Sequence, residues 1–383
     1  MSLICAGTMV IGGQVRRPGW VRTAGRRISA CGSGAPSSAD VDFPDSTVVP
    51  GFVDMHVHGG GGASFTDGEI GRVAAFHQRH GTTTTLASLV TAAPAELLAA
   101  VADLAAATHV GTVAGIHLEG PWLSPTRCGA HDPARMRPPD PAEIDAVLAA
   151  ADDTIRMVTL APELPGSDDA IRHFRNAGVV VAVGHSDATY EQTRQAIARG
   201  ATVGTHLFNA MPPLGHREPG PALALLADPR VTVELIADGV HVHPAMVQAV
   251  IAAVGPSRVA LITDAMGAAG CGDGDYRLGP VPIEVEAGVA RVRGASTLAG
   301  STATMDQLFR AVAGLGSDAD SALAAAVQMT SATPARALGL ARVGDLRAGL
   351  DANLVVLDRD LQVTAVMVHG DWRVRVGSDG TSV

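Results

Sequence analysis

From residue 1 to about 50 the chain alternates apolar and polar side chains in short runs, residues 3–11, 14–21, 27–30 and 46–49, broken by Gly, Pro and Ser. A period of two is the mark of half-buried strands, because successive side chains point to opposite faces. The habit returns after the stretch Val343-Gly-Asp-Leu-Arg-Ala-Gly349, in residues 353–357, 362–368 and 372–376. The outer segments, 1–50 and 343–383, are therefore expected to pair into one small β-domain around a central domain, 51–342.

Between them the pattern changes. Short apolar runs alternate with Ala-rich stretches of helical period, such as residues 92–108, 141–151, 187–199 and 244–254. Runs that are apolar throughout read as strands buried on both faces, and their alternation with helices is that of a parallel sheet. Eight such strands can be counted, at 52–58, 82–88, 113–119, 156–161, 179–185, 202–209, 231–237 and 259–264. Eight βα units point to a closed (β/α)8 barrel of the α/β class more than to a doubly wound sheet, which spacing alone leaves open. Residues 276–293 read as a hairpin inserted after the eighth strand, with helices over about 301–339.

Composition limits what such a barrel can do. The 383 residues, 47 % hydrophobic, are ample for one large domain and a smaller one. The 28 basic against 38 acidic residues leave a net charge of -10, which argues against nucleic acid or an anionic membrane as a general partner. Any anionic ligand must be captured locally. Cys5, Cys31, Cys128 and Cys271 lie far apart and read as reduced thiols, the start of the chain lacks a basic leader, and no apolar run reaches the length of a membrane span. A cytoplasmic protein is expected. All 28 basic residues are arginine. Without lysine, a carbamylated-lysine metal bridge, Schiff-base catalysis and a phosphate-loop lysine are all excluded.

The polar residues give the expected barrel its chemistry, because the C-terminal ends of barrel strands converge on one mouth. The first strand carries His56-Val-His58, whose period-two spacing puts both imidazoles on one face. The third ends in Glu119, the fifth in His185, the sixth in His206 and Asn209, and the eighth in Asp264. Four histidines and two carboxylates at one mouth point to a divalent metal, zinc or ferrous iron, with open positions to acidify a water. Asp264 then reads as general base, or as a further ligand. A Gly/Pro-rich loop after Glu119 brings His131 into the same neighbourhood.

With these residues in view, the chain resembles the N-acetylglucosamine-6-phosphate deacetylase family of the amidohydrolase superfamily along its full length. The likeness rests on Pro50-Gly-Phe-Val-Asp-Met-His-Val-His-Gly59, His117-Leu-Glu-Gly-Pro-Trp-Leu123, Gly129-Ala-His131, Thr159-Leu-Ala-Pro-Glu163, Gly184-His-Ser186, Thr205-His-Leu-Phe-Asn-Ala-Met211, Arg217-Glu-Pro-Gly220, Ala237-Asp-Gly-Val-His241 and Thr263-Asp264. It implies a pseudo-TIM barrel with a small β-sandwich, and a homodimer. The implied reaction is metal-dependent hydrolysis of N-acetyl-D-glucosamine 6-phosphate to D-glucosamine 6-phosphate and acetate. Glu119, His185 and His206 would hold the main metal, Asp264 would be the catalytic acid and base, and His131 would polarise the acetyl carbonyl. The resemblance places Arg217, acting in trans from a dimer partner, at the substrate phosphate with His241, Asn209 and the Ala210 backbone. It places Ala130, Asp238 to His241, and Leu298, Ala299 and Gly300 against the sugar.

Some family members lack the first-strand histidines, whereas this chain keeps His56 and His58, so a second metal bridged by Glu119 is in play: zinc or iron, one or two per subunit. Cys128 stands where family members commonly carry a basic residue, and the neighbouring Arg127 could favour its thiolate and make the loop redox-sensitive. Another amidohydrolase activity, such as that of a D-amino-acid deacetylase or a dipeptidase, would share the metal ligands without needing the Arg217 and His241 phosphate anchor. A metal-free barrel that only binds sugars or partners should have lost ligands, and none is lost.

Overall fold

Eight parallel strands form one sheet in strict chain order: β1 Phe52–Asp54, β2 Thr82–Leu89, β3 Gly115–Glu119, β4 Ile155–Leu160, β5 Val180–Val183, β6 Ala201–Gly204, β7 Thr232–Leu235 and β8 Val259–Leu261. Just past β1 and β8 the ring is closed by a parallel bridge between Val57 and Ala265. His58 N–H reaches Ala265 O at 2.8 Å, and Asp264 N–H reaches His56 O at 2.9 Å. Closure thus happens at the rim where the candidate residues lie, not at mid-strand. The computed structural model describes residues 1–375. Val376, the last residue of the expected 372–376 strand, lies outside them, as does the rest of the expected domain to 383.

The helices start where the sequence supplies caps. Helix α1 covers Ile70–Arg79 and α2 Pro94–His109. At α3, Pro141–Ala151, the Asp140 carboxylate takes the Ala142 N–H and Pro141 occupies the first turn, where its missing donor costs nothing. Ser167–Asn176 forms α4, and the stretch expected as helix from 187 runs as a loop to Thr189 and is helical only over Tyr190–Arg199 (α5). It starts late because Thr189 caps it reciprocally with Gln192, while the Asp187 N–H is drawn off to Glu163 Oε1 at 2.6 Å. Gly220–Ala227 (α6) and Pro244–Val254 (α7) complete the series between strands. Residues expected as a hairpin form a three-stranded antiparallel meander, Gly274–Leu278, Val281–Glu286 and Val289–Val292.

The expected strands ending at 185, 209 and 264 stop earlier, at Val183, Gly204 and Leu261. The cause is local backbone geometry: His185 (φ 46°), His206 (φ 24°) and Asp264 (φ 49°) are all left-handed. Such a non-glycine residue costs on the order of 1–2 kcal/mol and persists only where its surroundings over-determine it.

The two ends of the chain build a second sheet. Its order is Asp371–Arg375, Val363–Val368, Leu354–Leu357, Val41–Pro50, Ser2–Ile11, Gly19–Ala24, Arg27–Ser33, with Gln14–Arg16 on Ser2–Ile11. Leu354–Leu357 pairs antiparallel with Val41–Pro50, so the expected pairing of N- and C-terminal segments occurs. The pairing of Ser2–Ile11 with Val41–Pro50 is parallel. The inward positions of these strands, Ile4, Met9, Val21, Ile28, Val48, Leu354, Val356 and Met367 among them, meet in one buried apolar cluster.

By packing, the chain forms two compact units: Met1–Asp54 with Ala75–Thr84 and the described residues from Thr304, and Met55–Ala74 with Thr85–Ala303. Within the first, helix α8, Met305–Ala313, buries Asp306 in its opening turn. Burial alone would raise this carboxyl, but hydrogen bonds from His80, Thr304 and Arg310 outweigh it and hold it at about 2. A carboxyl lowered by folding stabilises the protein above its unfolded value and loses that contribution as pH falls through the folded one. Asp306→Asn is therefore expected to lower stability by about 2 kcal/mol at pH 7. In urea titrations the gap to wild type should narrow below pH 4 and close near pH 2.

Candidate metal centre and substrate cavity

Glu119 ends β3 with 2 % exposure, and five imidazoles surround its carboxylate. Oε1 lies 3.0 Å from His206 Nε2, 3.1 Å from His185 Nε2 and 3.4 Å from His56 Nε2. Oε2 lies 3.1 Å from His58 Nε2 and 3.2 Å from His131 Nε2. Asp264 closes the group, with Oδ1 3.2 Å from His58 Nε2 and 3.5 Å from His56 Nε2. Sequence-distant residues on β3 and past the ends of β1, β5, β6 and β8 thus converge, together with the loop that carries His131.

The far ring nitrogens show which way the lone pairs point. His56 Nδ1 faces Glu234 Oε2 at 3.2 Å, His58 Nδ1 faces Ser88 O at 3.2 Å, and His185 Nδ1 faces Arg127 O at 2.8 Å. Each partner is an acceptor, so each Nδ1 donates its proton outward and each ring turns Nε2 inward, where a metal can take the place of a second proton. Those Nε2 atoms crowd: His56 and His58 are 3.2 Å apart, and His185 and His206 3.1 Å. Lone pairs so close repel unless a cation lies between them. The residues therefore fit a divalent metal, and the sets His56, His58, Glu119 and Glu119, His131, His185 each bring their donor atoms within 4.8 Å of one another.

His131 behaves differently. Its Nδ1 accepts the Thr91 N–H at 3.1 Å, so the proton sits on Nε2, where it is donated to Glu119. Burial pushes this ring down to about 4, with the attraction of Glu119 and the repulsion of His185 as smaller effects. It is a neutral hydrogen-bond donor aimed at the centre.

The electrostatics ask for positive charge. Burial drives His56 down, yet Glu119, Asp264 and Glu234 pull it well above the usual imidazole range, and His58 is raised to about 9 against the same burial. Burial raises Asp264, but His56 and His58 hold it at about 2. Every ion pair these three acids make among the described residues is to a histidine. Without an arginine or lysine in the cluster, protons or a metal must balance the acids.

Above the centre opens a cavity of about 330 Å³, lined by His58, Glu119, His131, His185, His206 and Asp264 and by Thr126, Arg127, Gly129, Ala130, Asn209, Ala210, His241, Leu278, Thr297, Leu298 and Gly300, with His56 set behind it. A larger one, about 550 Å³, lies elsewhere among Gly12, Gln328, Leu340, Asp345 and Arg347, but its lining includes no histidine, so size alone does not locate the chemistry. Gly129 needs its identity: φ is 55°, and a Cβ there would stand 3.0 Å from His185 Cε1.

Several expected residues take other places. Asp238 does not line the cavity; its Oδ2 holds His241 Nδ1 at 2.7 Å and its Oδ1 takes the Val240 and His241 N–H groups. Burial alone would lower His241, but this partner raises it above its ordinary value. Ala299 is fully buried in an apolar cluster with Ala130, Leu278 and Ile283, behind the wall that Leu298 and Gly300 present. Arg217 is exposed and outside the cavity of its own chain. Cys128 is a free, partly buried thiol outside the lining, and Arg127 beside it is paired with Asp187 at 2.8 Å.

Sequence reasoning passed over three buried groups. Glu234 sits within β7, and His117 stands two residues before Glu119, linking Ser88 Oγ at 2.9 Å to Thr159 Oγ1 at 2.8 Å. Thr91 sets the tautomer of His131. Glu234 had a signal, an acid inside the apolar run 231–237; Thr91 had none, because its role exists only across the fold.

The amidohydrolase family model matches residues 47–373. The N-acetylgalactosamine-6-phosphate deacetylase of Escherichia coli O157:H7 is 40 % identical over 331 residues, covering 84 % of this chain and 86 % of that one. The N-acetylglucosamine-6-phosphate deacetylase of Vibrio furnissii is 37 % identical, covering 84 % and 82 %. Among solved structures, the N-acetyl-D-glucosamine-6-phosphate deacetylase of Mycobacterium smegmatis superposes with a TM-score of 0.95 at 56 % identity, over 97 % of this chain and 100 % of that one. With its sequence, its barrel and the histidine-carboxylate cluster at the barrel rim all in agreement, the chain belongs to the amidohydrolase family and, within it, to the N-acetylglucosamine-6-phosphate deacetylases.

Proposed function

We propose that this protein hydrolyses the acetamide of N-acetyl-D-glucosamine 6-phosphate, giving D-glucosamine 6-phosphate and acetate. The observation that carries the reading is the Glu119 carboxylate set among inward-turned imidazoles at the base of a cavity, with the His131 N–H and the Asp264 carboxylate beside it. Glu119, His185 and His206 would hold a divalent metal, and His56 and His58 with Glu119 a second; the nitrogen and oxygen donors suit zinc or ferrous iron. Such a metal supplies Lewis acidity, polarising the amide carbonyl and acidifying a water.

The chain's own residues supply the rest. Asp264, ionised at neutral pH, takes a proton from water and delivers it to the departing amine. His131 offers its Nε2–H to the carbonyl oxygen as negative charge develops there. A cavity of about 330 Å³ suits one sugar phosphate. His241, raised by Asp238, meets the phosphate with Asn209 and the Ala210 backbone, and Arg217, outside the cavity of its own chain, serves the site of a homodimer partner. The four free cysteines favour a reducing compartment, and we place the protein in the cytoplasm. Among the described residues, no helix is long and apolar enough to cross a membrane.

Acetate release from N-acetyl-D-glucosamine 6-phosphate, its 4-epimer N-acetylgalactosamine 6-phosphate and unphosphorylated N-acetylglucosamine tests the reading. The first should be turned over, and the unphosphorylated sugar at least about 10²-fold less efficiently in kcat/KM, the effect of about 2.7 kcal/mol of lost anchoring. Equal turnover with and without phosphate would overturn the anchor. Preference for the 4-epimer would move the substrate to that of the Escherichia coli relative.

A further inference from the structure

Glu234 is a buried acid beside the metal-centre residues without a part in the reaction above. It lies within β7 at 0 % exposure, where an unbalanced carboxylate costs several kcal/mol. Oε2 accepts the Nδ1–H of His56 at 3.2 Å and the backbone N–H of His206 at 3.1 Å, while Oε1 has no hydrogen-bond partner among the described residues. The residue's backbone carbonyl takes the Leu207 N–H at 2.9 Å. Both side-chain contacts therefore go to candidate ligands, one from the His56–His58 pair and one from the His185–His206 pair.

We propose that Glu234 is a positioning residue that ties the two halves of the metal centre together, an inference that rests on the metal-centre reading above. By accepting from Nδ1 it fixes the tautomer of His56, so that Nε2 keeps its lone pair turned toward His58 and Glu119. By accepting the His206 N–H it holds that residue in its left-handed turn, from which Nε2 stands 3.0 Å from Glu119. The negative charge behind His56 also makes that ring a stronger donor.

The test is Zn(II) titration of the metal-free protein against a chromophoric chelator, comparing wild type with Glu234→Gln and Glu234→Met. Melting temperatures of the metal-free and zinc-loaded forms are taken alongside. Gln keeps the shape but loses the charge; Met removes the buried polar group at similar volume, which a purely structural position tolerates. We expect zinc affinity to fall about 10–100-fold in both variants, as when an outer partner of a ligand is removed. The metal-free variants should melt like the metal-free wild type, and Met carries the comparison if Gln does not fold. Wild-type zinc affinity in the variants would overturn the proposal, as would a metal-free form destabilised as much as the loaded one. A wild type that takes up no zinc would overturn the metal-centre reading itself, and the two failures are thereby told apart.

Discussion

Asp264→Asn is expected to lower kcat for N-acetyl-D-glucosamine 6-phosphate by about 10³-fold, within the range for loss of a positioned acid-base group. Asn is nearly isosteric but cannot take a proton from water or return one to the amine. The backbone of residue 264 is held independently of its side chain, since its N–H goes to His56 O and its carbonyl takes the Ser301 N–H at 2.7 Å. The left-handed turn should therefore survive the substitution. KM should stay within about threefold, because the lost interaction belongs to the transition state and kcat and kcat/KM then fall together. Steady-state acetate release, with the metal content of each preparation, checks this. If kcat per bound metal is unchanged while the metal content falls, Asp264 is a ligand and not the base.

Glu119→Gln should have an effect at least as large, by a different route. Five imidazole nitrogens lie within 3.0–3.4 Å of the Glu119 oxygens, and only a carboxylate offers an acceptor oxygen to the His206 side and to the His58 side at once. An amide presents one acceptor and one donor; its NH2 cannot bind a metal and instead donates to an inward imidazole lone pair that a metal would need. The variant should lose its metal on dialysis and turn over by more than about 10³-fold less, the Lewis acid and the acidified water going together. Metal analysis and acetate release check both. Chelation of the wild type should mimic the substitution and be reversed by added Zn(II) or Fe(II). Metal at a hundredfold over its dissociation constant should raise wild-type stability by about 2.7 kcal/mol and leave Glu119→Gln nearly unmoved. Equal metal-dependent stabilisation of the two proteins would remove Glu119 from the centre.

Three of the residues on which these predictions turn, His185, His206 and Asp264, have left-handed backbones. Strand propensity and apolar pattern carry the sheet inward to residues 183, 204 and 261, and the next residues break from it. The break points each side chain into the mouth instead of along the barrel wall. The strain is maintained by partners from other elements: Arg127 O for the His185 ring, Glu234 for the His206 amide, and His56 O and Ser301 N–H for residue 264.

Periodicity, which depends only on neighbours along the chain, was enough to read the eight βα units, the strands at both ends and the residues that reach the rim. Strand direction and the convergence of C-terminal ends follow from chain order, so the sequence alone brings His56, His58, Glu119, His185, His206 and Asp264 to one mouth. The pattern could not show where strands yield to left-handed turns, because those conformations are imposed by contacts between residues far apart in sequence. Nor could it show which ring nitrogen carries a proton. Thr91, some forty residues from His131, makes that ring a donor, and Glu234, 178 residues from His56, makes that one an acceptor. Spacing can bring a histidine to a site, but its tautomer depends on the partner at its far nitrogen, and only the closed barrel supplies that partner.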